Sequence, residues 1–386
     1  NSIRTRNQQW DLSDPSSWWQ SLDGKWYSNT LEKTSAYPSS QQELMFLTNI
    51  NPIVNLRKIG GTANGRSSIG LWQELILYPT DQSANRIGIE TNINNEYSIY
   101  EVPVSGLLFD YPDSSAAYSL RQLTTFESGN EINLVRVRRS NDNTEQDFTA
   151  TEITDGTLTS FTGANDGFVT TWYDQSGSNN NALNTTALSQ PKIVDNGALV
   201  VKNSKPSIDF LSVNTQLTAG VISGLDSGNP FTILALSSIN QAGDTGAILC
   251  NFTSPNVNQR IAMFNDTRAT PSVNSVIETN SGSFLFNLSQ PRTNTDQVLQ
   301  SLFSNGSSAS CFDNSDAGTQ NLSYTGDYFN NTLLIGVQFG NNTFLNGHIQ
   351  EIIIYPTDQI ANRTGIETNI NTEYDIYEPI NNVVFG

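Results

Sequence analysis

The chain has 386 residues, enough for two domains of ordinary size or for one large domain and part of a second. Its formal net charge of −18 argues against nucleic acid and anionic membranes as partners, because both require a basic surface. Apolar residues make up 36% of the chain and charged residues only 15%, and no apolar stretch approaches the roughly 18 residues of a membrane span. This composition is typical of extracellular or virion β-proteins. The sequence therefore predicts a virion-surface or extracellular location without membrane insertion.

Cysteine and histidine are too rare to build the common sites that depend on them. The two cysteines, Cys250 and Cys311, exclude a disulfide scaffold, and their apolar surroundings favour buried free thiols over a single bridge. His348 is the single histidine. This removes most His-based zinc sites and argues against a Ser-His-Asp triad, so a structural role is expected for His348.

A duplicated element dominates the chain. Apolar runs at 44–47 and 53–56 predict strands, and the sequence QELILYPTDQSANRIGIETNINNEYSIYE follows at 73–101. It returns at 350–378 as QEIIIYPTDQIANRTGIETNINTEYDIYE, at a constant offset of 277 (350 − 73) and with six substitutions. Internal repetition of this kind indicates two copies of one module. Because only 72 residues precede the first copy, we expect the first module to be partial. Either its first half lies upstream, which we favour, or only a substructure of the module is used.

Each copy of the repeat predicts a strand followed by a helix. The apolar runs at 74–78 and 351–355 each end at a proline, which cannot donate to a strand ladder. The Thr-Asp pair that follows can cap a helix. That helix has an apolar stripe suited to packing on a sheet, formed in the second copy by Ile366, Ile370 and Tyr374. We therefore interpret the repeat as the closing element of a domain and not as a functional site.

The region between the two copies predicts a linker and then many short strands. Residues 102–112 read as the linker, and the next residues predict a short helix that carries Ala116, Ala117, Leu120 and Leu123. Alternating or apolar runs then predict strands at 133–139, 167–173, 191–194, 198–201, 207–211, 231–239, 247–252, 260–264, 283–288, 297–303 and 333–337. Many short strands with few helices indicate a two-sheet sandwich.

These elements together predict an all-β fold. A sandwich would be present as one complete and one partial copy, each closed by a short C-terminal helix. Residues 1–101 form the partial module, residues 102–112 the linker and residues 113–378 the complete module. Residues 379–386 are a C-terminal tail or a further linker.

Four segments of the second module resemble one known family. They read AYSLRQL at 117–123, VRVRRSNDN at 135–143, TWYDQSGSNNNA at 171–182 and QPKIV at 190–194. Together they resemble the catalytic domain of fungal α-L-arabinofuranosidase B, and related modules in virion proteins of phages and surface proteins of marine bacteria. The resemblance covers residues 106–378, YDQSG is its most specific part, and the repeat resembles laminin-G-like domains. It implies a concanavalin-A-like jelly-roll sandwich.

The chain departs from this family at the residues that carry catalysis. In the arabinofuranosidases a Glu nucleophile follows a Cys-containing strand, and a catalytic Asp lies on the loop after a late strand. The matching regions here, 248–253 and 335–341, offer no carboxylate at either place. A retaining glycosidase needs two carboxyl groups about 5 Å apart, so we predict no catalytic residue. Asp174 of YDQSG is the first candidate for a role, and we expect it to fix its own loop.

Two kinds of binding site remain candidates. A glycan would be bound by exposed aromatic rings and by side chains that read hydroxyl groups, here Trp172, Tyr173, Asp174, Tyr324 and Tyr328. Core packing is the alternative for Trp172. Calcium is common in concanavalin-like folds, and its oxygen ligands would come from Asn165, Asp166 and Asp174, or else from Asp313 and Asp316. No other cofactor is predicted.

These features favour a non-catalytic structural or adhesive protein. A phage virion fibre or decoration protein with tandem sandwich modules and surface-glycan binding fits them best. The expected partners are other virion or surface-protein subunits, in a homo-oligomer, and cell-surface polysaccharide. Two alternatives stay open, a glycoside hydrolase of the arabinofuranosidase type and a secreted bacterial adhesin module.

Overall fold

The computed structural model divides the chain into two compact units, residues 1–102 and 103–386. The second unit is described at 103–378 except for 212–213, 252–258, 268–272, 288–293, 315–320, 329 and 339–342. The first unit is described at 26–28, 31–32, 45–47, 74–76, 78, 80, 82–97 and 99. Within these described ranges, no helix is long and apolar enough to cross a membrane.

The described part of the first unit holds a small antiparallel sheet and a helix. Its strands are β1 (Trp26–Ser28), β2 (Leu31–Glu32) and β3 (Met45–Leu47), and β1 pairs with both of the others. The helix α1 (Arg86–Tyr97) follows a 3-10 turn at Ser83–Asn85. β3 confirms the strand predicted at 44–47, whereas the strand predicted at 53–56 lies outside the described residues.

The second unit is mostly β-sheet, which confirms the predicted all-β class. The strands, in chain order, are β4 (Pro103–Ser105), β5 (Ala116–Ser119), β6 (Thr125–Phe126), β7 (Val135–Arg139), β8 (Glu145–Phe148), β9 (Gly167–Trp172), β10 (Ala182–Leu183), β11 (Lys192–Asp195), β12 (Ala198–Leu199), β13 (Val201–Lys202), β14 (Lys205–Pro206), β15 (Ile208–Leu211), β16 (Leu217–Val221), β17 (Phe231–Ile239), β18 (Thr245–Cys250), β19 (Arg260–Asp266), β20 (Val273–Thr279), β21 (Gly282–Asn287), β22 (Val298–Ser304), β23 (Ser308–Asp313), β24 (Asn321–Ser323), β25 (Thr332–Ile335), β26 (Val337–Gln338), β27 (Thr343–Phe344) and β28 (Asn346–Tyr355). The helices are α2 (Leu107–Asp110), α3 (Ala150–Thr154), α4 (Thr157–Thr162) and α5 (Arg363–Tyr374).

One large antiparallel network of strands is centred on the long pair β17 and β28. β17 also pairs with β22, and β28 also pairs with β5 and β15. Alternate side chains of β28 enter two different cores. Ile352 and Ile354 lie in the large core between strands, whereas Ile353 and Tyr355 lie in a second core with residues of α5. Because a core covers each face of β28, successive residues of this strand are apolar and not alternately apolar and polar.

The large core and its surroundings also hold the two cysteines. Cys250 and Cys311 are both buried and are not joined by a disulfide, as the sequence predicts. They belong to separate hydrophobic clusters, Cys311 to the large core and Cys250 to a smaller one.

The repeat has the same helix in both copies but not the same strand. α1 and α5 begin and end at matching residues, and α5 packs its predicted stripe in the second core. β28 confirms the predicted strand of the second copy. In the first copy, residues 74–76 and 78 form no regular structure, and Leu75, Ile76 and Tyr78 are 45%, 42% and 47% exposed. An apolar run becomes a strand only where neighbours pair with it, as β17 and β5 pair with β28.

The start of the second unit differs from the sequence prediction in two places. Ala116 and Ala117 lie in the strand β5 and not in a short helix, because β5 pairs with β28 and is buried along its whole length. Residues 103–112, predicted as a linker, fold with the second unit. β4 pairs with β6, and Leu107 of α2 is buried in the core that α5 covers.

Candidate functional site

The YDQSG loop follows β9 and is closed by the carboxylate of Asp174. Its Oδ1 accepts hydrogen bonds from the backbone N–H groups of Ala117 at 2.8 Å and Ser176 at 2.9 Å. Its Oδ2 accepts from Ser176 Oγ at 2.8 Å and from the backbone N–H of Asn180 at 2.9 Å. Asp174 therefore ties its own loop to β5, which is the role that the sequence predicts for it.

Three of the predicted glycan-binding aromatics are buried. Trp172 has no exposed surface and donates its indole N–H to the carbonyl oxygen of Ser119 at 3.2 Å. Tyr324 and Tyr328 are only 4% and 3% exposed, and both belong to the large core. A sugar ring can stack only on an aromatic face that solvent reaches. The interpretation of these three residues as glycan contacts is therefore corrected to core packing.

Tyr173, the remaining aromatic candidate, is half-buried beside an ion pair. Its hydroxyl donates to Asp147 Oδ1 at 2.7 Å, and Arg136 donates to both oxygens of the same carboxylate at 2.7 Å. The hydrogen bonds from Arg136 hold the pKa of Asp147 below its usual range. Burial and the hydrogen bond to Asp147 raise the pKa of Tyr173 to about 12. The hydroxyl proton of Tyr173 is thus committed to a partner within the protein.

The three predicted calcium ligands do not come together. Asp166 precedes β9 and Asp174 follows it, so the six residues of β9 hold them about 20 Å apart at roughly 3.3 Å per residue. Calcium–oxygen distances are only about 2.3–2.6 Å, so these residues and Asn165 cannot share one ion. Asp166 instead lies 3.1 Å from the ammonium group of Lys192.

The alternative calcium ligands give no site either. Of Asp313 and Asp316, the second lies outside the described residues. Across the part of the chain that the structure describes, no three His, Cys, Asp or Glu side chains are grouped for a metal ion. Calcium binding stays a prediction without an assigned site.

A surface cavity of about 240 Å³ lies where four segments of the second unit meet. The segments are the residues that follow β5, the short helix α3, the strand β14 and the last turn of α5. Leu120 and Pro206 contribute apolar surface to the cavity. Its polar side chains are Arg121, Thr151, Thr154, Lys205, Glu373 and Tyr374. A few polar groups that converge on a partly apolar concavity are the usual composition of a small-molecule site.

A buried charge network supports the inner wall of this cavity. Arg121 donates to Glu351 of β28 from Nε to Oε2 at 2.8 Å and from Nη2 to Oε1 at 2.9 Å. Glu351 Oε2 also accepts from Ser119 Oγ at 2.7 Å and from the hydroxyl of Tyr374 at 3.2 Å. The guanidinium lies over the Tyr374 ring, 5.7 Å from its centroid. The wall is therefore fixed by hydrogen bonds from three directions.

The charges of this network keep Arg121 and Tyr374 protonated. Burial alone would lower the pKa of Arg121, but the adjoining Glu351 carboxylate raises it above its usual value. Burial, followed by the negative charge of Glu351, raises the pKa of Tyr374 well above its usual value. At neutral pH, Arg121 is thus a cation and the Tyr374 hydroxyl donates to Glu351.

The rim of the cavity is polar and exposed. Lys205 Nζ and Glu373 Oε1 form a hydrogen-bonded ion pair at 2.7 Å, with side chains 41% and 33% exposed. Thr151 Oγ1 donates to a carboxylate oxygen of Glu131 at 2.6 Å. Thr154 Oγ1 donates to the carbonyl oxygen of Ala150 at 3.2 Å. Both hydroxyl oxygens keep lone pairs that can accept a hydrogen bond from a ligand.

Sequence reasoning did not find this cavity. Arg121 lies inside the AYSLRQL segment, and Glu351 and Tyr374 lie inside the repeat, where both were interpreted as packing residues. The only signal is that charged residues occupy positions next to buried apolar runs. Nothing in the spacing pairs Arg121 with a residue 230 positions away.

Comparisons with solved structures identify proteins of similar fold. No protein-family model and no curated protein matches the chain. A GH54 α-L-arabinofuranosidase soaked with a cyclic sulfate inhibitor aligns with a TM-score of 0.52 and 14% identity, over 69% of this chain and 65% of that one. An arabinofuranosidase complexed with arabinofuranosyl-α-1,2-xylobiose aligns with a TM-score of 0.51 and 15% identity, over 69% of this chain and 64% of that one.

These alignments define the chain as an all-β protein that shares its fold with GH54 arabinofuranosidases. They confirm the resemblance to the arabinofuranosidase B catalytic domain that the sequence segments predict. The chain spans about two thirds of the length of these enzymes, and at this identity the likeness concerns the fold alone.

Proposed function

We propose that this chain is a non-catalytic structural or adhesive protein, displayed on a virion or cell surface, that binds surface glycans. Its second unit would be a complete concanavalin-A-like jelly-roll sandwich, and its first unit a partial copy of the same module. A phage fibre or decoration protein is the particular kind of protein that we propose. Homo-oligomerisation and contacts with other virion or surface-protein subunits belong to the same proposal.

The observation that carries this proposal is the closure of the YDQSG loop by Asp174. This loop is the most specific part of the resemblance to a glycosidase, and its carboxylate is the first candidate for a catalytic role. Four hydrogen bonds from within the protein occupy both of its oxygens. A general acid or base needs a free oxygen within hydrogen-bond reach of the substrate, and a carboxylate engaged in this way serves structure instead.

The fold likeness supports sugars as the ligand class. A solved arabinofuranosidase of similar fold is complexed with arabinofuranosyl-α-1,2-xylobiose. The duplicated helix, α1 and α5, supports tandem modules, which are common in displayed adhesive proteins. The net charge of −18 supports a neutral polymer and not nucleic acid as the partner.

The test combines a glycan array, a hydrolysis assay and a peptide map, all with the full chain. We expect retention on at least one surface polysaccharide, no release of reducing sugar from arabinan or arabinoxylan, and peptides of this chain in purified virions or surface fractions. Blank results from both the array and the peptide map would overturn the proposal. Sustained sugar release that one Asp or Glu substitution abolishes would replace it with the hydrolase alternative.

A further inference from the structure

We propose that the cavity between α3, β14 and α5 binds one electrically neutral sugar unit of a surface glycan. This inference rests on the proposed function, because it names the site and the ligand class of that glycan binding. Four features of the cavity carry it: its size, the balance of its charges, the hydrogen-bonding capacity of its rim and the rigidity of its inner wall.

The size of the cavity limits the ligand to one ring. Its volume of about 240 Å³ lies below the roughly 300–1,000 Å³ of pockets that enclose drug-sized ligands. The apolar surface from Leu120 and Pro206 can cover the C–H face of a sugar ring, while polar side chains surround it. A longer glycan would therefore place a single unit here and run on across the surface.

Both cations that line the cavity are paired with carboxylates. Arg121 pairs with Glu351 and Lys205 with Glu373, and a third carboxylate, Glu131, accepts a hydrogen bond from Thr151 of the rim. An anionic ligand would have to compete with these carboxylates for their cations, in a chain whose net charge is already −18. A metal cation would have to compete with Arg121 and Lys205 for the same carboxylates. A neutral ligand with many hydroxyl groups can bind without separating either ion pair.

The rim matches hydroxyl groups, which both donate and accept. Lys205 has three N–H donors and uses one of them on Glu373 Oε1 at 2.7 Å. Among the described residues only Oε1 of Glu373 is hydrogen-bonded, so Oε2 can accept from a ligand, and Thr151 and Thr154 offer hydroxyl oxygens. A pair of adjacent sugar hydroxyls can therefore bridge Lys205 and Glu373, with a third hydroxyl reaching a threonine.

The inner wall is pre-organised for binding. The two hydrogen bonds of Arg121 to Glu351 use Nε and Nη2. In the part of the chain that the structure describes, Nη1 makes no further hydrogen bond, so it is available to a ligand that enters the cavity. A fixed donor costs little conformational entropy when it binds, which favours recognition of a small ligand.

The experiment measures the binding of methyl glycosides to the full chain by saturation-transfer NMR and calorimetry. The panel contains neutral pentosides and hexosides together with the matching uronic acids. Thr154→Trp fills the cavity mouth, and Glu373→Gln removes the charged acceptor. Thr368→Trp is the matched control, because Thr368 is an exposed threonine of α5 that does not line the cavity.

We expect at least one neutral glycoside to bind, at least tenfold weaker binding with Thr154→Trp and with Glu373→Gln, and less than a twofold change with Thr368→Trp. Circular dichroism confirms that each variant is folded. Tighter binding of a uronic acid than of its neutral counterpart overturns the neutral assignment. A positive glycan array with no glycoside bound, or with binding that Thr154→Trp leaves intact, overturns this site but leaves the proposed function standing. A blank array overturns this site, and a blank peptide map beside it overturns the proposed function as well.

Discussion

Arg121 and Glu351, which are 230 residues apart in the sequence, form a bidentate ion pair with N–O distances of 2.8 and 2.9 Å. The Glu351 side chain is 1% exposed and that of Arg121 is 19% exposed. The pair joins the segment after β5 to the central strand β28, and it supports the inner wall of the cavity, which Arg121 and Tyr374 line. Stability and the binding site therefore depend on the same contact.

Removal of one partner of this pair should be costly. Glu351→Gln leaves the Arg121 guanidinium largely buried without its counter-charge, and such changes cost about 3–5 kcal/mol. The double variant Arg121→Met/Glu351→Met should recover most of this loss, because it buries no charge. The measurement is the denaturant midpoint of the second unit, followed by hydrogen exchange. As a control, Asp142→Asn disrupts the exposed pair with Arg139 and should shift the midpoint far less. Equal losses from both changes would contradict the argument.

Asp174→Asn should destabilise the second unit without any need for a ligand. The amide nitrogen of asparagine would face donors at the place of one carboxylate oxygen, and two of the four hydrogen bonds would be lost. Hydrogen bonds to a charged group contribute about 1.5–3 kcal/mol each, so a loss of about 3 kcal/mol or more is expected. Asp155 is exposed, and its Oδ1 accepts a hydrogen bond from one backbone N–H, that of Thr157. Asp155→Asn should therefore change the denaturant midpoint much less. If Asp174→Asn left stability unchanged, the loop-fixing role would be wrong.

The two glycines of the repeat should respond in opposite ways to alanine. A Cβ atom at Gly365 would overlap the hydroxyl oxygen of Tyr111, whereas one at Gly88 would meet nothing within 4 Å. Gly88→Ala should therefore stabilise α1 by up to about 1 kcal/mol, the usual helix preference for alanine. Gly365→Ala should destabilise α5 by about 1–3 kcal/mol, as overpacking does. Amide hydrogen exchange in the two helices measures both effects.

A second substitution separates the clash from other causes. In a Tyr111→Ala background the obstacle to a Cβ at position 365 is gone, so Gly365→Ala should become neutral or stabilising. The double-mutant cycle gives the coupling between the two positions. A coupling near zero would show that the contact with Tyr111 does not explain the glycine.

Local pattern predicted much of the fold because many strands here are buried on both faces. β17 (Phe231–Ile239) has the ends that the sequence predicts, and Ile366, Ile370 and Tyr374 of α5 pack as their spacing indicates. β5 was predicted as a helix because Ala116, Ala117, Leu120 and Leu123 have helix-like spacing. Its pairing with β28, more than 230 residues away, overrides that local preference, and no local pattern reveals such a partner.

The candidate site was predicted less well, for a related reason. The loop role of Asp174 follows from chemistry within a few residues, and it was predicted. The burial of Trp172, Tyr324 and Tyr328 depends on which strands cover them. The local sequence around an aromatic residue does not distinguish a buried ring from an exposed one. The cavity arises from four segments that only the fold brings together.

The single histidine allows a clean test of pH dependence. His348 faces Asp209 across the β15–β28 pairing, and its Nδ1 lies 3.2 Å from Ser207 Oγ, with Lys202 as a further charged neighbour. Burial lowers the pKa of His348 below its usual value of about 6.5, although Asp209 opposes this shift.

As the pH falls through about 6.5, the unfolded chain takes up a proton at His348, whereas the folded chain does not yet do so. The free energy of unfolding should therefore decrease as the pH drops from 7.5 to 5.5. Burial raises the pKa of Asp209, which favours the folded state as that carboxyl takes up a proton at lower pH. His348→Gln should flatten the change in Tm between pH 7.5 and 5.5. An unchanged slope in His348→Gln would show that His348 is not the group responsible.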